Sequence, residues 1–226
     1  MRIVIVGGTG ILGTEFKKID SDLICLNSEY DIFEFEKLEK KLYEIKPDII
    51  INCAAIKSQN VVLDPIKSIN VNIIGSCNVS KYSIENGVRI VYISTDYVYP
   101  GTKGQYSEED PVLPSNSYAW TKLAGEAPVK LVKSHLIIRT SFGSSKFDHE
   151  NAYKNLYTSK DYVDIIAPKI LKAAKSNYIG TLNIGTERKS IFDYANRRNI
   201  INGIEKSSDS DFSLNTTKFQ NYVYES

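Results

Sequence analysis

Cysteine, histidine and surplus charge are all scarce in this chain, and each shortage removes a class of function. Only three of its 226 residues are cysteine, Cys25, Cys53 and Cys77. Their number is odd, none has C-x-x-C spacing and two lie inside apolar runs, so they read as buried, reduced thiols instead of disulfides or metal ligands. Of the two histidines, His135 and His149, only the second has acidic neighbours, Asp148 and Glu150. Immediate neighbours lack the spacing of a ligand set, and no metal site is expected. With 28 basic and 27 acidic residues the net charge is +1, so no global field draws the chain to nucleic acid or to an anionic membrane. No window approaches the ~18 apolar residues of a membrane span. The N-terminal MRIVIVGG meets glycine before a signal-peptide core is formed, and the expectation is a cytoplasmic protein.

What the chain does have is regular alternation. Short β-branched runs at Arg2–Val6, Leu23–Leu26, Asp48–Asn52, Arg89–Ser94, His135–Arg139 and Thr181–Ile184 read as strands. Between them Glu34–Ile45, Pro65–Asn86, Ser117–Val132 and Lys160–Lys175 carry apolar residues at helical spacing; Pro128 is expected to kink the third near its end. The pattern predicts an α/β fold, a Rossmann-type doubly wound parallel sheet with a small C-terminal substrate-binding portion. Residues 1–140 form the expected core and 141–226 the substrate-side loops and helices, with 160–185 returning a helix and a strand to the core. Loops at Tyr99–Pro114 and Ser141–His149 leave carboxyl ends of strands, where such sheets bind ligands. The polar tail from Ile204 to Ser226 is expected to be a mobile loop followed by a short docking segment.

Residues 2–13 read RIVIVGGTGILG, a buried strand that runs into a G-x-x-G-x-x-G turn opening a helix. Gly7 allows the tight turn, Gly10 lets backbone approach a pyrophosphate and Gly13 lets helix and strand pack closely. The free amides of Gly10, Ile11 and Leu12 at the positive end of the helix then hold the pyrophosphate of a dinucleotide. The second strand ends in Leu26-Asn27-Ser28, with neither an acid for an adenosine ribose nor an arginine for a 2′-phosphate. NADH and NADPH are both expected to bind, NADPH modestly better because no carboxylate repels its extra phosphate.

Two Tyr-x-x-x-Lys pairs occur. Tyr99 and Lys103 are separated by Pro100 and Gly101, which forbid a helix. Tyr118 and Lys122 follow Ser115, Asn116 and Ser117, any of which can cap a helix. Spacing of four puts the phenol and ammonium on one helix face, where the cation would favour phenolate and bring it toward acid–base use. After the fourth strand, STDYVYPG delivers Ser94, Thr95, Asp96 and Tyr97 to the sheet edge, and a hydroxyl there can donate to a carbonyl while Tyr118 transfers a proton.

Taken in order, GGTGILG, INCAA, STDYVYPG, YAWTK and RTSFG resemble the extended short-chain dehydrogenase/reductase family, and STDYVYPG its dTDP-4-dehydrorhamnose reductase branch. The resemblance covers residues 1–143 and, more loosely, YTSKDYVDIIAPKI and TLNIGTERKS to about residue 198. It implies that Gly10, Ile11 and Leu12 bind the pyrophosphate, that Asp31 and Ile32 lie against the adenine, and that Ala54 and Ala55 border the nicotinamide. Lys122 would hold the nicotinamide ribose and Thr95, Tyr118 and Lys122 would form the catalytic set; Asn72 would be structural. Thr95, Asp96, Tyr97 and Arg139 would meet a nucleotide-sugar substrate, and a homodimer is conceivable. The chain departs from the branch after INCAA, where IKSQNVVLDP replaces an acidic stretch, and in a shortened segment after RTSFG.

The implied activity is NAD(P)H-dependent reduction of the 4-keto group of a nucleotide-linked 6-deoxy sugar, in the synthesis of surface polysaccharide precursors. The alternatives are an epimerase or dehydratase that keeps its NAD, or a non-catalytic dinucleotide-binding regulatory protein. Related 4,6-dehydratases place Asp-Glu after the catalytic threonine; here Thr95 is followed by Asp96-Tyr97, and elimination of water is not expected.

Overall fold

Side-chain alternation along the strands divides the core in two. A computed structural model describes residues 1–57 and 59–224. Its central sheet contains β1 (Ile3–Val6), β2 (Ile24–Leu26), β3 (Ile49–Asn52), β4 (Arg89–Thr95), β5 (His135–Thr140) and β6 (Gly180–Ile184). Ile3, Ile5, Ile49, Ile51, Val91, Ile93, Leu136 and Ile138 point to one face. Val4, Val6, Ile50, Ile90, Tyr92 and Ile137 point to the other. With period two and apolar residues at both phases, each strand needs cover on both sides.

Helix α1 (Ile11–Ile19) and helix α5 (Val163–Lys175) supply the first cover through Leu12, Phe16, Ile166 and Ile170, joined by Phe219 and Val223 of the C-terminal segment. Helices α2 (Phe35–Ile45), α3 (Gly75–Asn86) and α4 (Ser117–Val129) cover the second face through Leu38, Leu42, Val79, Tyr82 and Val129. Sheet order is β6-β5-β4-β3-β1-β2, with every pairing parallel. Chain direction across the sheet reverses between β1 and β3, so the crevice for a ligand opens beyond their carboxyl ends.

Two predicted helices are modified by the fold. The run expected over 65–86 is helical but interrupted: Pro65–Ile69 leads into a π turn, Asn70–Ile74, before α3. The wide turn accommodates Asn72, whose amide donates to the Ile56 carbonyl at 2.9 Å and to Thr121 Oγ1 at 2.8 Å, while its oxygen accepts from Ile56 N at 2.8 Å. The helix expected from Lys160 begins only at Val163, because Asp161–Tyr162 pairs in parallel with Phe142–Gly143. Lys160 thereby stays outside the helix and lines the crevice.

The remainder is small sheet fragments. Leu156–Thr158 lies between Lys189–Ser190 and Ser210–Asp211, and Asn151–Tyr153 pairs with Asn202–Ile204. The tail, expected to be a mobile loop, therefore pairs with 151–158, and Phe212 and Leu214 are buried. Leu214 joins Val98, Tyr99 and Tyr106 in a third apolar cluster, so the docking begins earlier in the tail than its polarity suggests. No helix among the described residues is long and apolar enough to cross a membrane, and they hold no group of three or more potential metal ligands.

Candidate active site

The glycine turn shapes one end of the crevice. Gly7 sits at φ +77°, and a Cβ there would lie 2.7 Å from Ala54 N. Gly13 packs on Gly8 so closely that a Cβ would fall 2.5 Å from the Gly8 carbonyl oxygen. Gly10 is the N-cap of α1 and supplies no side-chain cap; its own N–H, expected to be free, donates to the Gly7 carbonyl at 3.1 Å and closes the turn, so the first-turn amides without an intrahelical acceptor are those of Ile11, Leu12 and Gly13. Gly7, Gly10 and Gly13 line a cavity of about 570 Å³, within the range of small-molecule sites. Uncapped amides at a positive helix end, with open space before them, fit the pyrophosphate of a dinucleotide.

Beyond β2 the wall consists of Asn27, Ser28, Tyr30, Asp31 and Ile32. Asp31 accepts from Phe33 N at 2.7 Å, which closes the turn, and Asn78 donates to the Ile32 carbonyl at 3.0 Å. Ala54 and Ala55 line the cavity from the end of β3. Ala54 N donates to Asn52 Oδ1 at 3.1 Å, and Asn72 fixes Ile56 next along the chain.

At the other end stand the residues suited to proton chemistry. Thr95 ends β4, accepts from Tyr97 N at 3.3 Å and donates to Asp96 Oδ1 at 3.2 Å. Asn116 is the residue that caps α4, accepting from Ala119 N at 2.9 Å, and so places Tyr118 in the first turn and Lys122 one turn on. Asn72 donates to Thr121, whose hydroxyl donates to the Tyr118 carbonyl at 2.8 Å. The helix is thus anchored between Tyr118 and Lys122. Thr95, Tyr97, Tyr118 and Lys122 all line the cavity.

Burial sets the protonation states. Tyr118 is half-buried, and desolvation, assisted by the nearby Asp96 charge, pushes its phenol above the ordinary range. Lys122 is 2% exposed and desolvation lowers it to about 7, against weaker support from Cys53 and Glu126. Its Nζ lies 4.0 Å from the Tyr92 ring centroid, a cation–π contact that partly replaces lost hydration. The ammonium therefore does not lower the phenol in this geometry, contrary to the expectation from i, i+4 spacing. A protonated phenol is the form that can act as an acid.

Two residues expected to meet substrate are elsewhere. Asp96 is 1% exposed, behind Thr95, and burial raises its carboxyl to about 7 despite Lys160 and the Thr95 hydroxyl. Arg139 is 3% exposed and its guanidinium grips Glu126 through Nε at 3.1 Å and Nη2 at 2.8 Å. Its remaining arm donates to the Tyr99 hydroxyl at 3.0 Å. A planar fork on β5 facing a carboxylate on α4 satisfies both charges internally, and Arg139 is not among the cavity-lining residues. The cysteines are free, yet Cys77 is exposed and Cys25 and Cys53 are only partly covered, because Cys77 lies on the outer side of α3.

Glu126, Lys57, Thr140 and Lys160 were not singled out by sequence reasoning. Glu126 was detectable as the next i, i+4 step after Lys122. Lys160 carried no such signal, since helical periodicity placed it inside α5. Thr140 ends β5 beside Thr95 and lines the cavity; its buried hydroxyl has no hydrogen-bond partner among the described residues.

A model of the RmlD substrate binding domain family matches residues 1–181. The methionine adenosyltransferase 2 subunit beta of Rattus norvegicus is 31% identical over 141 residues, covering 57% of this chain and 42% of that protein. This chain therefore aligns with less than half the length of that relative. The dTDP-4-dehydrorhamnose reductase of Aggregatibacter actinomycetemcomitans is 29% identical over 201 residues, covering 84% of this chain and 68% of that protein. Among solved structures, a hypothetical dTDP-4-dehydrorhamnose reductase from Sulfolobus tokodaii superimposes with a TM-score of 0.85 at 26% identity, covering 97% of this chain and 94% of that one. The dTDP-4-dehydrorhamnose reductase of Bacillus anthracis str. Ames, in complex with NADP, gives 0.84 at 25% identity, covering 97% and 90%.

Proposed function

Because the chain belongs to the RmlD substrate binding domain family, we propose that it is an NAD(P)H-dependent reductase of the 4-keto group of a nucleotide-linked 6-deoxy sugar. The observation that carries this reading is the placement of Thr95, Tyr118 and Lys122 on the same cavity as the uncapped end of α1. Gly10, Ile11, Leu12 and Gly13 would hold the dinucleotide pyrophosphate, Asp31 and Ile32 its adenine, and Ala54, Ala55 and Lys122 its nicotinamide half. The reduced nicotinamide supplies hydride when bound. Thr95 orients the carbonyl through its hydroxyl, and Tyr118, kept protonated by burial, gives its proton to the carbonyl oxygen as charge develops there. Tyr97 lines the substrate side.

We place the protein in the cytoplasm, in keeping with its free thiols. The exposed apolar side chains of Val62, Leu63 and Ile66 support a homodimer. A second reading, a partner subunit without turnover, takes its support from the likeness to an adenosyltransferase beta subunit. The grouped Thr95, Tyr118 and Lys122 favour the enzyme, since a purely binding role needs no proton donor.

Consumption of NADPH and NADH with a panel of 4-keto-6-deoxy sugar nucleotides tests the assignment. Both cofactors are expected to support turnover, NADPH modestly better, with no 4-keto product formed from dTDP-glucose and NAD. Absence of consumption across the panel overturns the assignment. An NADH preference above ~100-fold contradicts the cofactor reading, because about 2.7 kcal/mol needs a specific contact that Asn27 and Ser28 do not offer.

Lys122→Met is expected to lower turnover and cofactor affinity together while raising the melting temperature of the ligand-free protein. The wild-type ammonium is buried without an ion pair among the described residues, and an apolar chain of similar shape removes that cost. The sign with pH follows: the folded group releases its proton near 7, whereas the unfolded one holds it to about 10.4. Between these values the unfolded chain binds more protons, so wild-type stability gains on that of the variant as pH rises. Thermal denaturation at pH 6 and pH 9 measures the gap; one that fails to narrow contradicts the depressed lysine.

A further inference from the structure

Two lysines on the substrate side of the cavity are left over by the proposed chemistry. Lys57 follows β3 and stands exposed at the rim, 5.8 Å from the Phe142 ring centroid. Lys160 precedes Asp161–Tyr162, the strand paired with Phe142–Gly143, and lies half-buried over the Tyr194 ring at 5.5 Å. Both line the cavity, with Phe142 between their chain segments, and neither forms an ion pair among the described residues. Thr140, at the end of β5, lines the same cavity.

We propose that Lys57 and Lys160 form an anion site that holds phosphate or carboxylate oxygens of the substrate beside the reacting carbonyl. This rests on the reductase reading for the position of that carbonyl, near Thr95 and Tyr118, but not for the binding of the anion. Two like charges on one wall repel each other, and Asp96 is the carboxyl that faces Lys160 from the sheet. Burial lowers the Lys160 ammonium, and the charge of Lys57 lowers it further. An anion between them relieves the repulsion and gives both ammonium groups a counter-charge. A neutral, phosphate-free sugar would leave both lysines unpaired. The oxygens come either from the diphosphate of a nucleotide sugar or from a carboxylate on the sugar itself.

Calorimetric titration of NADP⁺-saturated protein with dTDP, UDP-glucose and UDP-glucuronate decides this, since the cofactor blocks the glycine turn and no turnover is needed. Saturation with NADP⁺ is itself checked by titration, and NADPH consumption separately reads the reductase assignment. Wild type is expected to bind, and Lys57→Gln/Lys160→Gln to bind at least tenfold more weakly, with NADP⁺ affinity within about twofold. Weakening of dTDP identifies the diphosphate as the source. Loss only of a preference for UDP-glucuronate over UDP-glucose identifies a sugar carboxylate. Lys57→Arg/Lys160→Arg restores binding if charge is what matters. Wild type that binds none of the three, or a glutamine variant that binds all three within twofold of wild type with no changed preference, overturns the anion site.

Discussion

Tyr118→Phe lowers turnover of a 4-keto-6-deoxy sugar nucleotide by roughly 10²–10⁴-fold, the usual scale of a positioned proton donor, and leaves cofactor affinity nearly unchanged. The change removes one hydroxyl and keeps the ring. Helix α4 is capped by Asn116 and tied through Thr121 to Asn72, and none of those bonds uses the phenol. The helix therefore keeps its place, and Thr95 still reaches the carbonyl. What is lost is the acid, whose raised pKa holds it protonated at neutral pH, and water must take over. An interaction made only in the transition state lowers kcat and kcat/KM together. Steady-state kinetics alongside a cofactor titration measures both parameters. A variant with most of the wild-type turnover would remove Tyr118 from the mechanism.

The core was legible because its information is local. Each main strand is a run of β-branched residues with apolar side chains at both phases, and a strand apolar on both sides has few homes other than the middle of a layered sheet. The glycine turn was legible for a related reason: at Gly7 a left-handed backbone and a contact with Ala54 leave no room for a Cβ. Boundaries set by distant partners were not. Nothing near Asn70 announces a π turn, whose partners Ile56 and Thr121 lie 14 or more residues away, and nothing near Lys160 tells of its neighbours' pairing with Phe142–Gly143. The tail failed in the same way: KSSDSD is polar enough for a mobile loop, yet Ser210–Asp211 joins a sheet whose other strands are far off in sequence.

The site shows the same division. Tyr118 and Lys122 were found because a helix makes spacing of four a contact, but spacing does not report which way an ammonium turns once buried, and Tyr92 on β4 takes it. Asp96 and Arg139 lie at strand ends, where a side chain can face the ligand or fold back under the sheet edge. The choice depends on whether a partner waits behind, and for Arg139 that partner is Glu126.

Arg139→Leu separates those two roles. An arginine that met substrate would, on removal, raise KM and leave folding untouched. In the structure it neutralises Glu126, which is 1% exposed and also accepts from Ser94 Oγ at 2.6 Å. Arg139 also donates to Tyr99, whose single hydroxyl proton is within reach of the Ser107 carbonyl at 2.9 Å and Asn183 Oδ1 at 3.1 Å. Breaking one side of such a buried pair leaves a carboxylate without its cation and costs about 3–5 kcal/mol. That is a large fraction of the ~5–15 kcal/mol that holds a typical domain, so the variant is expected to unfold at markedly lower denaturant, with the slope of the transition unchanged. Replacing both partners, as in Arg139→Leu/Glu126→Leu, removes the stranded charge and should recover much of the loss. Helix α4 carries Lys122 one turn before Glu126, so the pair also fixes the helix on the sheet from which the site is read. Urea unfolding of wild type, single and double variants measures the coupling. A single variant within about 1 kcal/mol of wild type, accompanied by a raised KM, would return Arg139 to the substrate.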